Sequence, residues 1–147
     1  GRDMYVYMAA YGGKIAAENA LGGDARRYDN SAMPGVTFTD PQVAYVGLTE
    51  EELGARRIPF ATASYPFDDH GKSILMNAVR GHVKVIAEKP TGRVLGAECV
   101  GKDAGELIQA LSLAVSLKAE VRNLIKADWY HPTLLKIFRS KHIQSPR

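Results

Sequence analysis

Residues 82–117 read "HVKVIAEKPTGRVLGAECVGKDAGELIQALSLAVSL", and this stretch decides the fold. Two segments that suit β-strands, "HVKVIAE" and "RVLGAECVG", flank the turn signal "KPTG", so residues 82–100 are predicted to form a hairpin. A helix is predicted to follow at once, with Asp103 as its N-cap and Glu106 at the capping-box position. The apolar face of this helix is expected to carry Leu107, Leu111, Ala114 and Val115.

The sequence before the hairpin predicts further strands and one capped helix. Residues 36–47, "VTFTDPQVAYVG", suit two short strands interrupted by Asp40-Pro41. The segment "TEEELGARR" begins a helix, since Thr49 and Glu52 have capping-box spacing. "IPFATASYPF" returns to strand character, whereas "DDHGKSILMN" predicts a loop.

Two short helices are predicted after the hairpin and its helix. One covers about 120–126, and the last runs "TLLKIFRSK", with Leu134, Leu135 and Phe138 as its apolar side. Strands mixed with helices, together with one tight hairpin, predict an α+β fold with a largely antiparallel sheet and flanking helices.

An apolar helix is predicted to precede this domain. It covers residues 4–21, ends at Gly22-Gly23 and is apolar on nearly every side, so burial all round is expected. Gly12-Gly13 in its middle predicts that another group approaches the backbone closely. The polar stretch 24–35 is interpreted as a linker, and 143–147 as a tail.

Composition and charge restrict the class of protein. The 147 residues are 46% hydrophobic and 24% charged, which is typical of a globular domain, and no apolar run reaches the length of a membrane span. The single cysteine, Cys99, forms no internal disulfide and is predicted to be an inert buried thiol in a reducing cytoplasm.

From residue 122 onward the chain has six Lys/Arg and one acid, and this segment is interpreted as a solvated basic end. Contact with nucleic acid or an anionic surface is the alternative.

The residues by themselves do not supply a complete active site. The sequence has no G-x-G-x-x-G loop, no Walker loop and no G-x-S-x-G motif. The four histidines lack metal-ligand spacing, and "DDH" at 68–70 is interpreted as a solvated loop, so no metal site is predicted.

Three segments in order resemble one family. They are "VTFTDPQVAYVGLTEEE", "GRVLGAECVGKDAGELIQALSLAV" and the "HPT" beginning at His131. Together they resemble the C-terminal dimerisation (interface) domain of the FAD-dependent pyridine nucleotide–disulfide oxidoreductases, a family that includes dihydrolipoamide dehydrogenase and mercuric reductase. The resemblance assigns 36–142 to that domain and makes 1–23 the last helix of a truncated FAD-binding domain.

The resemblance implies where the chemistry would lie. His131 is expected to act as acid/base toward the redox dithiol of the partner subunit, with Pro132 as the signature proline and a cis bond between them. Met4 and Tyr5 match the backbone that lies near the flavin in relatives. FAD and NAD(P) are expected in the full-length enzyme, whereas this fragment is expected to bind none and to be inactive.

The resemblance also implies the partners. A cytoplasmic homodimer is expected, with helix 103–117 and hairpin 82–100 contributing to the interface. The substrate would be a small-molecule disulfide, a dithiol or a metal ion, and neither nucleic acid nor a membrane is an expected partner.

One position departs from the family pattern His-Pro-Thr-x-x-Glu. Lys136 stands where the Glu that orients the histidine is expected, and a lysine accepts no hydrogen bond. Either another acid such as Asp128 substitutes for it, or the protein does not run standard dithiol chemistry. A dimerisation or interaction module without catalysis is the alternative function, and the sequence encoded before Gly1 would discriminate.

Overall fold

The computed structural model describes residues 4–22 and 25–140. The chain divides into two compact units, Gly1–Asn30 and Ser31–Arg147. The second unit contains five strands, which are β1 (Pro34–Thr37), β2 (Gln42–Gly47), β3 (Phe60–Pro66), β4 (His82–Glu88) and β5 (Val94–Gly101). They pair antiparallel throughout in the order β1-β2-β5-β4-β3, so the predicted α+β class is confirmed.

The predicted hairpin provides two of the three inner strands of this sheet. Its register runs from His82 opposite Val100 to Ala87 opposite Val94. Alternate side chains of β2, β4 and β5 are buried and form the core of one face, namely Ala44, Val46, Val83, Val85, Ala97 and Cys99. Helix α4 (Ala104–Ser116) contributes Leu107, Ile108, Leu111 and Ala114 to the same core. The predicted apolar face of the helix is thus largely confirmed, with Ile108 in addition.

The start of α4 differs from the predicted capping box. Asp103 is the N-cap residue, but its backbone is left-handed (φ 56°) and its side chain makes no capping hydrogen bond. An N-cap side chain reaches the first-turn N–H groups from an extended backbone, which Asp103 does not have. Instead, Gln42 on β2 accepts a hydrogen bond from the Gly105 N–H through Oε1 at 3.1 Å. The predicted capping role of Asp103 with Glu106 was therefore wrong.

Helix α2 (Glu50–Ala55) begins as its sequence predicts. The Glu52 N–H donates to Thr49 Oγ1 at 3.1 Å, and the Thr49 N–H donates to Glu52 Oε2 at 3.0 Å. Before it, the Asp40–Pro41 bond that separates β1 from β2 is cis. The two interrupted strands and the capped helix are thus confirmed.

The loop predicted at 68–77 was wrong. A 3-10 turn, Phe67–Asp69, leads into helix α3 (Gly71–Leu75), and His70 and Ser73 are buried. The polar letters "DDH" suggested a solvated loop, but Tyr65 on the neighbouring strand covers this turn.

Both helices predicted after the hairpin and its helix are present, but the last one differs in helix type. Helix α5 spans Val121–Lys126, but the last helix, Leu134–Arg139, is a 3-10 helix. Ile137 and Phe138 are its buried residues, whereas the predicted Leu134 and Leu135 are half-buried. Residues four apart, such as Leu134 and Phe138, share a face only in an α-helix, whereas a 3-10 helix has three residues per turn and aligns residues three apart.

The first unit contains helix α1 (Val6–Ala20), two residues shorter at its start than predicted. Of its residues, Met8 and Ile15 are buried, so the burial all round expected from its composition is absent in this chain. The ring of Tyr28 lies 3.4 Å from where a Gly12 Cβ would stand, while Gly13 has open space. The predicted close approach to the backbone is therefore confirmed at Gly12. Among the described residues, no helix has the length and apolar character to span a membrane.

Candidate active site at the His-Pro turn

The turn that carries His131 is anchored to the core by the aromatic residue two positions before it. The Trp129 indole N–H donates to the Leu124 carbonyl at 2.7 Å, at the end of α5. Its ring meets the ring of Phe138 edge-on, with centroids 5.4 Å apart, and Phe138 is fully buried. The chain around the turn is therefore held on both sides of His131.

His131 and Pro132 themselves are exposed. The bond between them is cis, as the resemblance implied. The Thr133 hydroxyl donates to the Tyr130 carbonyl at 2.6 Å, which closes the turn around the pair. An imidazole on such a turn can exchange a proton with a group that arrives from outside this unit.

The position of Asp128 does not support its substitution for the missing glutamate. Asp128 is fully exposed, and it pairs with Arg139 Nη1 at 4.0 Å. Lys136 is half-buried on the 3-10 helix. Within residues 4–22 and 25–140, no carboxylate is hydrogen-bonded to His131.

His70, which the sequence predicted to lie in a solvated loop, is a buried histidine. His70 is 7% exposed, and its Nδ1 is 3.0 Å from the Ser73 hydroxyl oxygen. Burial lowers the pKa of His70, and the positive charge of His131 lowers this pKa further. The spacing of His70 and Ser73 by three residues, typical of a helical turn, was the available signal.

Cys99 has no place in the candidate site. The side chain is fully buried on β5, and this burial raises the pKa of its thiol to about 12. Because the thiolate is the reactive form of cysteine, this residue is inert as a nucleophile at neutral pH, as predicted.

Met4 and Tyr5 belong to the first unit, whereas His131 and Pro132 belong to the second. Met4 is 87% exposed. Tyr5 is the N-cap of α1 with an extended backbone, and its ring stacks on Tyr7 at 5.6 Å. The described residues contain no group of three His, Cys, Asp or Glu side chains arranged to hold a metal ion.

Two known enzymes resemble this chain in sequence. Mercuric reductase from Lysinibacillus sphaericus is 41% identical over 121 residues, which are 82% of this chain and 22% of that protein. Dihydrolipoyl dehydrogenase 3 from Haloarcula marismortui is 34% identical over 134 residues, 91% of this chain and 28% of the relative. The chain therefore spans about a quarter of the length of these curated relatives.

Solved structures share the fold. LpdA from Mycobacterium tuberculosis matches 92% of this chain and 29% of its own, with a TM-score of 0.80 and 26% identity. The HOCl-induced flavoprotein disulfide reductase RclA from Escherichia coli matches 92% of this chain and 31% of its own. Its TM-score is 0.82 at 24% identity, a likeness of fold alone.

One family model covers most of the chain. It matches residues 33–141 and describes the dimerisation domain of the pyridine nucleotide-disulphide oxidoreductases. This match includes the whole sheet, the helices packed on it and the His-Pro turn. The chain therefore belongs to the pyridine nucleotide-disulphide oxidoreductase family and carries its dimerisation domain.

Proposed function

We propose that this chain is the C-terminal part of an FAD-dependent NAD(P)H oxidoreductase that works as a cytoplasmic homodimer on a small disulfide, a dithiol or a metal ion. Its residues 36–142 form the dimerisation domain, 24–35 the linker, and 1–23 the last helix of an FAD-binding domain. His131 supplies an acid/base group to the redox dithiol of the partner subunit. The observation that carries the proposal is an exposed imidazole on an anchored turn within a domain of this family.

The proposed role of His131 is a proton transfer at sulfur. The imidazole takes the proton from a thiol of the dithiol, so the S–H bond breaks and the thiolate that forms becomes the nucleophile. The resulting imidazolium later returns the proton to the thiolate that leaves. Pro132 restricts the backbone next to the ring and thereby limits the directions that the imidazole can take.

The residues of this chain do not by themselves form a flavin site. The 147 residues contain no glycine-rich loop to cradle phosphates. Met4 and Tyr5 offer one exposed apolar side chain and the extended backbone before α1. In this proposal FAD, which supplies the electron-transfer chemistry, and NAD(P) are held by the rest of the enzyme. Met4 and Tyr5 contribute only the start of the helix beside the flavin.

Replacing His131 with Gln in the full-length enzyme tests the proposal. General acid–base catalysis contributes about 10²–10⁴-fold, so we expect the half-reaction with substrate to slow by a factor in that range. Reduction of the flavin by NAD(P)H, measured by stopped-flow absorbance, should keep its rate because no thiol proton moves in that step.

The matched control is His82→Gln, which removes a half-buried histidine at the start of β4. It should leave both half-reactions unchanged. If His131→Gln retains full turnover with every disulfide, dithiol and metal-ion substrate tried, His131 has no catalytic role and the domain serves dimerisation alone.

A further inference from the structure

The two elements on either side of the His-Pro turn carry more positive than negative charge. Residues 121–140 contain four cationic side chains and one acid, namely Arg122, Lys126, Lys136, Arg139 and Asp128. The two arginines are paired, the first with Glu120 at 2.6 Å and the second with Asp128 at 4.0 Å. Within the part of the chain that the structure describes, neither Lys126 nor Lys136 makes an ion pair. The turn is therefore flanked by positive charge that acids of this chain leave unbalanced.

Lys136 is joined to the His-Pro turn by hydrogen bonds. Its backbone N–H donates to the Thr133 carbonyl at 3.3 Å, and the Thr133 hydroxyl donates to the Tyr130 carbonyl at 2.6 Å. His131 lies between the two residues of this second bond. Because consecutive Cα atoms are at most about 3.8 Å apart and a 3-10 helix rises about 2 Å per residue, the Cα atoms of His131 and Lys136 are separated by no more than about 13 Å.

This separation allows the ammonium of Lys136 to act on a molecule that contacts His131. A lysine has a flexible four-carbon stem, so its charge can move toward a substrate at the turn. Salt screens exposed charges over about 8 Å at physiological ionic strength, and Lys136 is half-buried, which weakens the screening. One small substrate can therefore meet the imidazole and the ammonium together.

The sign of the charge at position 136 determines which substrates are attracted. A carboxylate there, as in the family pattern, repels an anion, whereas an ammonium attracts one. An ammonium also favours the ionised form of a nearby thiol, and the thiolate is the reactive species. A bare metal cation, in contrast, is repelled by an unpaired lysine. The exchange of carboxylate for ammonium thus favours anionic sulfur compounds.

We propose that Lys136 selects the substrate by charge, and that this substrate is a small disulfide or dithiol that carries carboxylate groups. The inference rests on the proposed function, because it names the substrate class of the site at which His131 acts. The ammonium of Lys136 pairs with a substrate carboxylate while the imidazole of His131 exchanges a proton at sulfur. Lys136 is thereby a specificity-determining residue.

Three small disulfides of similar length and different charge test the proposal on the full-length enzyme. They are dithiodipropionate, which is anionic, hydroxyethyl disulfide, which is neutral, and cystamine, which is cationic. The measured quantity is kcat/KM, followed by oxidation of NAD(P)H, and each value is divided by that for the neutral disulfide. An effect of Lys136 on the proton transfer itself is common to all three substrates and cancels in these ratios.

Lys136→Gln should lower the ratio for dithiodipropionate by about three- to tenfold, as expected for the loss of one partly screened charge pair. The ratio for cystamine should rise, because a repulsion is removed. Lys136→Arg keeps the charge and should keep both ratios close to the wild-type values. Raising the salt concentration should lower the dithiodipropionate ratio of the wild type more than that of Lys136→Gln.

Lys89→Gln is the matched control. Lys89 is exposed in the turn of the hairpin, where its N–H donates to the Pro59 carbonyl just before β3 begins. Ser140, which follows the 3-10 helix, is hydrogen-bonded to Tyr65 near the other end of β3. A strand of seven residues is about 20 Å long, so Lys89 is remote from the segment of Lys136. Both ratios should stay at their wild-type values in Lys89→Gln.

The inference is overturned if Lys136→Gln leaves the two ratios unchanged, if it shifts them in the same direction, or if Lys89→Gln shifts them equally. It is also overturned if the enzyme reduces none of the three disulfides. Unchanged ratios in Lys136→Gln, together with slow turnover in His131→Gln, contradict this inference and leave the proposed function standing. Full turnover in His131→Gln contradicts the proposed function, and the inference then fails with it.

Discussion

At the scale of single residues, the buried His70 makes stability depend on pH. Its pKa in the folded protein is lowered from the ordinary 6.5 by burial and by His131. Between the folded and unfolded pKa values the unfolded chain therefore binds more protons, so the free energy of unfolding rises with pH there. The contribution of His70 is fully present above about 6.5, the ordinary histidine pKa, and is lost as pH falls below that value.

Urea unfolding measured at several pH values between about 5 and 8 checks this prediction, since this window brackets the ordinary histidine pKa. The loss of stability on acidification should be smaller in His70→Gln than in the wild type, because the variant has no imidazole to protonate on unfolding. If the free energy of unfolding depends on pH equally in the wild type and in His70→Gln, His70 is protonated to the same extent in the folded and unfolded chains, and the prediction is wrong.

Lys136 gives a second prediction at the residue scale. A carboxylate near an imidazole favours its charged form, and one pKa unit corresponds to about 1.36 kcal/mol, or tenfold. Lys136→Glu in the full-length enzyme should therefore accelerate the half-reaction with a disulfide substrate by up to about tenfold. Stopped-flow measurement of that half-reaction provides the check, with Lys126→Glu on α5 as the charge-matched control. No acceleration in Lys136→Glu, or an equal one in Lys126→Glu, would contradict a specific role for this position.

At the scale of elements, the cap of α4 predicts a measurable loss of stability. Gln42 on β2 accepts the Gly105 N–H at 3.1 Å across 63 positions of sequence. Removing a side chain that caps a helix N-terminus costs about 0.5–2 kcal/mol, so Gln42→Ala should lower the free energy of unfolding by that amount. Gln42→Glu keeps an acceptor oxygen near the positive end of the helix and should lose much less.

Chemical denaturation of the two Gln42 variants checks this. Asp103→Asn provides a further comparison, because Asn tolerates the left-handed backbone at this position and no capping bond is lost. A larger loss in Asp103→Asn than in Gln42→Ala would mean that the helix start depends on Asp103 after all.

These elements also indicate what the sequence could reveal about the fold. Local patterns sufficed to predict the strands and α2. The strands show alternation of apolar and polar residues, and α2 begins with the capping box of Thr49 and Glu52, so each signal lies within a few residues of sequence. The cap of α4 escaped prediction because its partner Gln42 comes from a distant strand. The polar letters "DDH" predicted a solvated loop at His70, and they gave no sign of its ring contact with Tyr65, which belongs to another element.

At the scale of the whole molecule, the candidate site could be found from sequence only through its resemblance to a family. An exposed histidine before a proline carries no local signal of catalysis, and its proposed reaction partner lies in another subunit. The ordered likeness of three segments selected His131, and the family match over residues 33–141 includes this position. The burial of His70 could not be found this way, because His70 lies outside the three segments that resemble the family.

Self-association is the prediction that belongs to this scale. The hairpin β4–β5 occupies inner positions of the sheet and buries many of its side chains in the core of its own chain. We therefore expect α4 to contribute more residues to the dimer interface than the hairpin does. Leu113 and Leu117, one turn apart on its outer side, are 60% and 69% exposed. Light scattering at tens of micromolar should give twice the chain mass of 16.0 kDa.

The substitution Leu113→Glu tests whether this face of α4 lies in the dimer contact. In a two-fold symmetric interface the change appears twice, and burying one leucine is worth about 1.5–3 kcal/mol. We therefore expect the dimer dissociation constant to rise at least about tenfold, since 1.4 kcal/mol corresponds to a factor of ten. Leu75→Glu on α3 replaces a leucine that is 74% exposed and serves as the matched control. A measured mass of one chain for the wild type would contradict the homodimer. If Leu75→Glu dissociates the dimer and Leu113→Glu does not, the interface lies at α3 and not at α4.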